Sequence, residues 1–579
     1  MNFCRFEDKS YFLRILLITL FSFLMGCAAG HNFSTEEPYQ KDADHKDVPE
    51  PRPRDPDLAW TSIERSVFDQ ADQAVDIERT FRKLFGERKE SHNINGFDEV
   101  PNSSWYTNRH GMFPMTAEEL KRGPAQSGPD TVGEWEVFRP KIGGTAPGFW
   151  IKDSKGNQYI LKFDPPGYNE MATGAGAFGS RYFYACGYNV PEETIVYWHP
   201  EKLKIRQGLM VTDKGVKREF TKQDLDAILN RVNKLPDGRI RSLASKAIAG
   251  KIKGPFSYSG VRKDDPNDWC RHENRRELRG LYVIASLVNH YDTKDHNTLD
   301  TYIEENGRHY LKHFLIDFNS TLGSDGREPK PPKKGYANQA DLLDMFVSMI
   351  TLGLKVWPWE NAKGIEYASV GYFESDIFKP NKFDPILPNP AFDEMTYRDA
   401  FWGAKVVMSF TDEDLKTLLD AGQYSDPDAE KYLLKTLIER RDKIGRHWFG
   451  KVNPLDKFQY LQGGDGLRFK FEDLSVKYGF ESTAKTKYKY SIRYGNNSIV
   501  RDVELDQPQF SISAKTVADL ATYYNPTSKE LPKEHLFEVQ IKTNRGDSYA
   551  WSKPVALWLW YDPYKNNFQL VGIEHRSSH

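Results

Sequence analysis

Asn289-His-Tyr-Asp-Thr-Lys-Asp-His-Asn297 crowds His290, Asp292, Lys294, Asp295 and His296 between two asparagines, and the reading of the chain turns on it. A helical pattern leads in from Arg275 to Asn289, with Leu278, Leu281, Tyr282, Ala285 and Val288 on one face. Two strands follow, Thr298 to Glu304 and His309 to Phe318, joined by the turn Glu305-Asn-Gly-Arg308. The second strand closes on Leu315-Ile-Asp-Phe-Asn319.

Upstream, Gly148 to Asp153 and Gln158 to Phe163 read as strands around the turn Ser154 to Asn157. Alternation in the second strand aims Lys162 at a cleft. A small-residue helix from Asn169 to Tyr184 opens on Glu170, with Gly187 placed to stop it, and Val190 to Trp198 reads as another strand. Lys141-Ile-Gly-Gly-Thr-Ala-Pro-Gly148 precedes the first strand.

In this order the residues resemble the protein-kinase-like fold. Asp292 and Asn297 have the Asp-x-x-x-x-Asn spacing of its catalytic loop, Lys294 stands two residues after the Asp, and Asp317-Phe-Asn319 looks like Asp-Phe-Gly with Asn in the last place. Among kinase-like families the arrangement most resembles the atypical HipA-type and spore-coat CotH-type proteins. The resemblance implies a phosphotransferase using Mg²⁺ and ATP. Asp292 would act as base with Lys294 beside it, and Asn297 and Asp317 as metal ligands. Lys162, paired with Glu170, would hold the nucleotide phosphates, and backbone N–H groups of Gly143, Gly144 and Thr145 would cradle them. The glycine stretch lacks Gly-x-Gly-x-x-Gly spacing.

Blander readings stand beside these. Lys162 alone is an ordinary solvated strand residue, Glu170 a first-turn carboxylate favoured by the helix dipole, and the glycine stretch a simple turn. A catalytically silent kinase-like scaffold or assembly lipoprotein is the alternative function. A zinc hydrolase built from His290, Asp292, Asp295, His296, His309, His313 and Asp317 is a rival chemistry, although the spacing His-x-Asp-x-x-Asp-His fits no zinc motif.

At the start of the chain Arg5, Lys9 and Arg14 precede an uncharged run from Ile15 to Met25, too short to span a bilayer. It closes on Leu24-Met-Gly-Cys27, which resembles the lipobox of bacterial lipoproteins. That resemblance implies a lipidated Cys27 and a place in the cell envelope, and Ala28 after the Cys is compatible with sorting to the outer membrane. The expected divisions are a signal segment 1–27, a polar tether 28–57, a helical and loop-rich extension 58–132 with a helix from Trp60 to Phe85, a kinase-like domain 133–454 and a C-terminal β-sandwich 455–579. The fold class is therefore α+β.

Within these divisions, Glu219 to Tyr291 reads as mainly helical. Further helices are expected at Gln339 to Leu354 and at Tyr397 to His447, interrupted near Thr411 and Ser425-Asp-Pro427. Arg271-His-Glu-Asn-Arg-Arg-Glu-Leu-Arg279 reads as a wet helix face from which one Arg reaches a phosphate. Trp551, Trp558, Trp560 and Tyr561 form sandwich core or a carbohydrate face. A net charge of -2 argues against a dedicated nucleic-acid partner. Cys186 and Cys270 either pair or remain two buried thiols.

Overall fold

The computed structural model describes residues 33–34, 43–54, 89–140, 148–213, 215–338, 357–523, 530–546 and 550–577. The signal segment with Cys27, the helix expected at 60–85, Gly143, Gly144, Thr145 and the helix expected at 339–354 lie outside them.

The architecture is mixed α+β. Six strands form the first sheet: β1 (Trp135–Pro140), β2 (Gly148–Lys152), β3 (Gln158–Lys162), β4 (Glu193–Trp198), β5 (Leu203–Ile205) and β6 (Ile240–Lys246). Their order is β4-β6-β3-β2-β1-β5, antiparallel throughout except for the β1–β5 pair. Helix α1 (Met171–Ala185) packs on this sheet because its small residues let it come close. A Cβ at Gly176 would stand 2.4 Å from Leu243 Cδ2 on β6. The helix stops at Gly187, whose φ of 116° an L side chain rarely adopts.

The second half is built around α2 (Arg276–Leu287), α3 (Tyr397–Met408), α4 (Asp412–Asp420) and α5 (Pro427–Phe449), beside a three-stranded sheet of β7 (Lys251–Gly254), β8 (Thr298–Glu305) and β9 (Arg308–Leu315). Leu281, Ile284, Phe318, Val407 and Leu437 belong to its one core. Burial of each such side chain is worth about 1.5–3 kcal/mol. Thr411 with Asp414 forms a capping box and Asp426 caps α5, so the breaks expected near Thr411 and Ser425 to Pro427 are real helix starts.

From Leu455 onward two antiparallel sheets share a core that includes Phe469, Ile512, Ile492, Val539 and Leu557. One sheet joins β10 (Leu455–Gly463), β11 (Gly466–Asp473) and β14 (Gln509–Ser513). The other joins β12 (Lys487–Tyr494), β13 (Asn497–Leu505), β15 (Phe537–Asn544), β16 (Val555–Asp562) and β17 (Asn567–His575). Trp558 is buried against Phe33.

Three expectations are corrected, and one open alternative is decided. The span 219–291 holds β6 and β7 besides its helices, because those strands pair with partners remote in sequence. Arg275, Arg276 and Arg279 face no water: each is fully buried, with Arg276 and Arg279 each 3.0 Å from Asp399. Part of the expected tether is seated on the protein, since Val48 N–H donates to His309 O at 2.9 Å and Arg54 N–H to Lys253 O at 2.9 Å. An extended polar segment can dock through its backbone without apolar periodicity. Cys186 and Cys270 are both buried and unpaired with each other.

Candidate functional site

The site is assembled by strand register. Lys162 on β3 lies opposite Leu243 on β6, and Glu193 on β4 lies opposite Ser245. Leu243 and Ser245 are two residues apart, so Lys162 and Glu193 share one face of the sheet with β6 between them. Lys162 Nζ donates to Glu193 Oε1 at 3.2 Å and to Asp317 Oδ1 at 3.1 Å. Burial opposes the ammonium charge, but Asp317 and Glu193 outweigh it and hold the lysine above its ordinary value. The same ammonium holds the Asp317 carboxyl below the usual carboxylate range.

Glu170 is therefore not the lysine's partner. It sits ahead of α1 with φ 71°, and its side chain accepts from Ser425 N–H at 2.8 Å. The partner missed in the sequence is Glu193, fully buried at the start of β4. Its signal is a glutamate beginning an apolar strand, which becomes legible only once β4 is known to pair with β6.

Asp317 follows β9 in a left-handed conformation, φ 63° and ψ 70°. A non-glycine residue held there costs on the order of 1–3 kcal/mol, and the structure around it must supply that. Phe318 supplies an anchor, buried with its ring 4.9 Å from that of Phe183 on α1. Thr321 Oγ1 donates to Ala175 O at 2.9 Å, tying the same loop to the same helix.

The loop after α2 brings the other groups. Asn297 Nδ2 donates to Asp292 Oδ2 at 2.9 Å and to the Asp292 carbonyl at 2.8 Å. Lys294 Nζ stands 2.7 Å from Asp292 Oδ1. Lys162, Asp292, Lys294, Asn297 and Asp317 line one cleft of about 400 Å³, with Asn319 and Arg327 also on its wall. Gly148 marks where the stretch containing Gly143, Gly144 and Thr145 returns to the described residues.

No family model and no curated protein matches the chain. Among solved structures, the chain is similar to the Helicobacter pylori proinflammatory kinase CtkA at 11% identity and a TM-score of 0.29, over 56% of this chain and 99% of that one. It is similar to the Golgi casein kinase at 10% identity and a TM-score of 0.26, over 70% and 96% of the two chains. A Golgi casein kinase structure with Mn/ADP bound gives 11% identity and a TM-score of 0.19, over 63% and 96%.

The donor set in the cleft suits a hard cation. Asp317 offers a carboxylate, and Asn297 spends its amide N–H groups on Asp292, leaving a carbonyl oxygen. Asn319 Oδ1 is buried without a hydrogen-bond partner. All three are oxygens, the ligands Mg²⁺ and Mn²⁺ take. The rival zinc set does not assemble. His313 is stacked on Trp105 at 3.6 Å and bonded to Asp300, His309 pairs with Asp47, and burial pushes the His290 imidazole down to about 4. Among the described residues no three His, Cys, Asp or Glu side chains are grouped to hold a metal.

Proposed function

We propose that this chain is an atypical kinase-like phosphotransferase of the cell envelope, using a nucleoside triphosphate with Mg²⁺ or Mn²⁺. In this reading residues 133–454 form two lobes about the cleft, 455–579 a β-sandwich, and the lipid on Cys27 anchors the chain to a membrane, the outer membrane by preference. The observation that carries it is the gathering of Lys162, Asp292, Asn297 and Asp317 on one open cleft from three separate segments of sequence.

Asp292 would orient an acceptor hydroxyl and take its proton, with Asn297 and Lys294 fixing the two carboxylate oxygens. Lys162 would meet phosphate oxygens while Glu193 keeps its ammonium aimed into the cleft. Asp317 and Asn297 would hold the cation, whose chemistry is to neutralise charge on the phosphates. Titration of the purified chain with Mn²⁺ and ADP tests the reading. Wild type should bind at least tenfold more tightly than Asp317→Ala, and equal binding would sink it.

A silent scaffold is favoured by one contact: the Lys162 ammonium rests directly on the Asp317 carboxylate that a cation would need. Nucleotide that binds without turnover for any acceptor supports that alternative.

A further inference from the structure

Lys330 has no part in the chemistry above, yet it lies under both acidic loops of the cleft. It is 1% exposed and ends a short turn in which its N–H donates to Gly323 O at 2.8 Å. Its ammonium donates to three carbonyls: Asn289 at 2.5 Å, Leu322 at 2.9 Å and Ser320 at 3.0 Å. Among the described residues it makes no ion pair.

The three acceptors belong to two loops. Asn289 begins the loop that carries Asp292, whereas Ser320 and Leu322 continue the loop that begins at Asp317. Asn289 and Leu322 are themselves left-handed, with φ 48° and 51°. Three carbonyl oxygens turned toward one buried point repel each other unless a donor stands there. A water brings two hydrogens, whereas an ammonium brings three, one for each. Burial pulls the lysine well below its usual value, against Asp325 and Asp292 and together with Arg440 and Lys334. The Tyr291 ring, 5.0 Å away, is a further favourable contact for the charged form.

We propose that Lys330 is a positioning residue whose ammonium clamps the Asn289 turn to the Ser320–Leu322 turn and so fixes Asp292 relative to Asp317. Its consequence for turnover rests on the phosphotransferase reading; the clamp itself does not.

The test uses the full chain with Lys330→Met, which keeps bulk without donors, and Lys330→Gln, which keeps two. Hydrogen exchange should rise at least tenfold in both 289–297 and 318–324 in the Met variant, less in the Gln variant, with α2 unchanged. Mn²⁺–ADP affinity should stay within threefold, while kcat for ATP turnover falls at least thirtyfold at nearly constant KM, and Gln recovers part of it. Wild-type exchange in both segments of the Met variant overturns the clamp. If Met loosens the whole chain, the Gln variant decides, and in that variant opening of α2 equal to that of the two loops overturns the clamp. A wild type that binds no Mn²⁺–ADP defeats the phosphotransferase reading while leaving the exchange result to judge Lys330.

Discussion

Glu193 and Lys162 meet across an intervening strand, 3.2 Å apart, with the carboxylate fully buried. That relationship makes the sheet itself the device that aims the lysine. On the open side Lys162 has Asp317, and on the closed side it has Glu193. In the proposed phosphotransferase, a lysine held from both sides would lose little further freedom on meeting phosphate, which is how preorganisation raises affinity.

Glu193→Ala should therefore cost about 3 kcal/mol, as expected when one partner of a buried pair is removed. It should also weaken Mn²⁺–ADP binding at least tenfold. Glu170→Ala loses only a bond to Ser425 N–H and should cost less than about 1 kcal/mol. Thermal unfolding and nucleotide titration of the two variants compare them directly. Equal losses in both would return the pairing role to Glu170.

Asp399 lies between Arg276 and Arg279, and all three side chains are fully buried. Despite burial, which alone would raise it, Arg279 and Arg276 hold the Asp399 carboxyl down to about 2. Its folded value lies below its unfolded one, so its contribution is full above pH ~4 and is lost as pH falls toward 2. By linkage the loss is on the order of 2 kcal/mol. Asp399→Asn should cost about 3–5 kcal/mol at neutral pH, because two guanidinium groups lose their shared anion. It should also flatten the acid limb of stability between pH 4 and 2, which urea unfolding across that range reads out. An unchanged limb would assign the acid sensitivity to other carboxylates.

Local chemistry explains what the sequence showed and what it hid. Lys162, Asp292, Asn297 and Asp317 were legible because strand alternation, a fixed five-residue spacing and a hairpin are short-range signals. The starts of α4 and α5 were legible because Thr411 and Asp426 are capping residues acting on their own helices. Glu193 was not, because its role depends on β4 pairing with β6 across an insertion containing further strands and a helix. The buried Arg275, Arg276 and Arg279 were not, because charge implies water until the anions that take its place, Asp98, Asp268 and Asp399, are placed by the fold. Lys330 was hidden for the same reason, since its partners are carbonyls, which every residue carries.

Gly176 gives a steric probe of the contact between α1 and the sheet. A Cβ there would stand 2.4 Å from Leu243 Cδ2 and 2.7 Å from Asn319 Oδ1. Gly176→Ala should cost about 1–3 kcal/mol by overpacking and weaken Mn²⁺–ADP binding by shifting Asn319. At Gly167 the space is open and only a φ of +80° opposes a side chain, so Gly167→Ala should leave nucleotide affinity within twofold. Calorimetry with titration separates the two. Equal affinity loss in both would show that Asn319 does not take part.

Asp98 joins the C-terminal sheets to the helical half through four contacts of one carboxylate. Its Oδ1 accepts from Arg276 at 2.6 Å and Arg398 at 2.8 Å, and its Oδ2 lies 2.9 Å from His575 Nδ1 on β17. The fourth is the His575 backbone N–H, 3.5 Å from the same Oδ2. The other imidazole nitrogen of His575 is 2.8 Å from Leu455 O at the start of β10, so the ring bridges the first and last strands of that part. Arg276 and Arg398 lie on different helices, and neither keeps its full complement of partners without Asp98. Asp98→Asn should therefore cost about 3–5 kcal/mol. Wild type should unfold in one calorimetric transition and Asp98→Asn in two, because the C-terminal sheets retain their own core but lose a shared anchor. His575→Gln removes the ring and leaves the carboxylate on both arginines, so it should cost only about 1 kcal/mol and preserve one transition. If both wild type and Asp98→Asn unfold in a single transition, the two parts are coupled by apolar packing, such as Phe401 against His575 at 4.9 Å, and the carboxylate is not the joint.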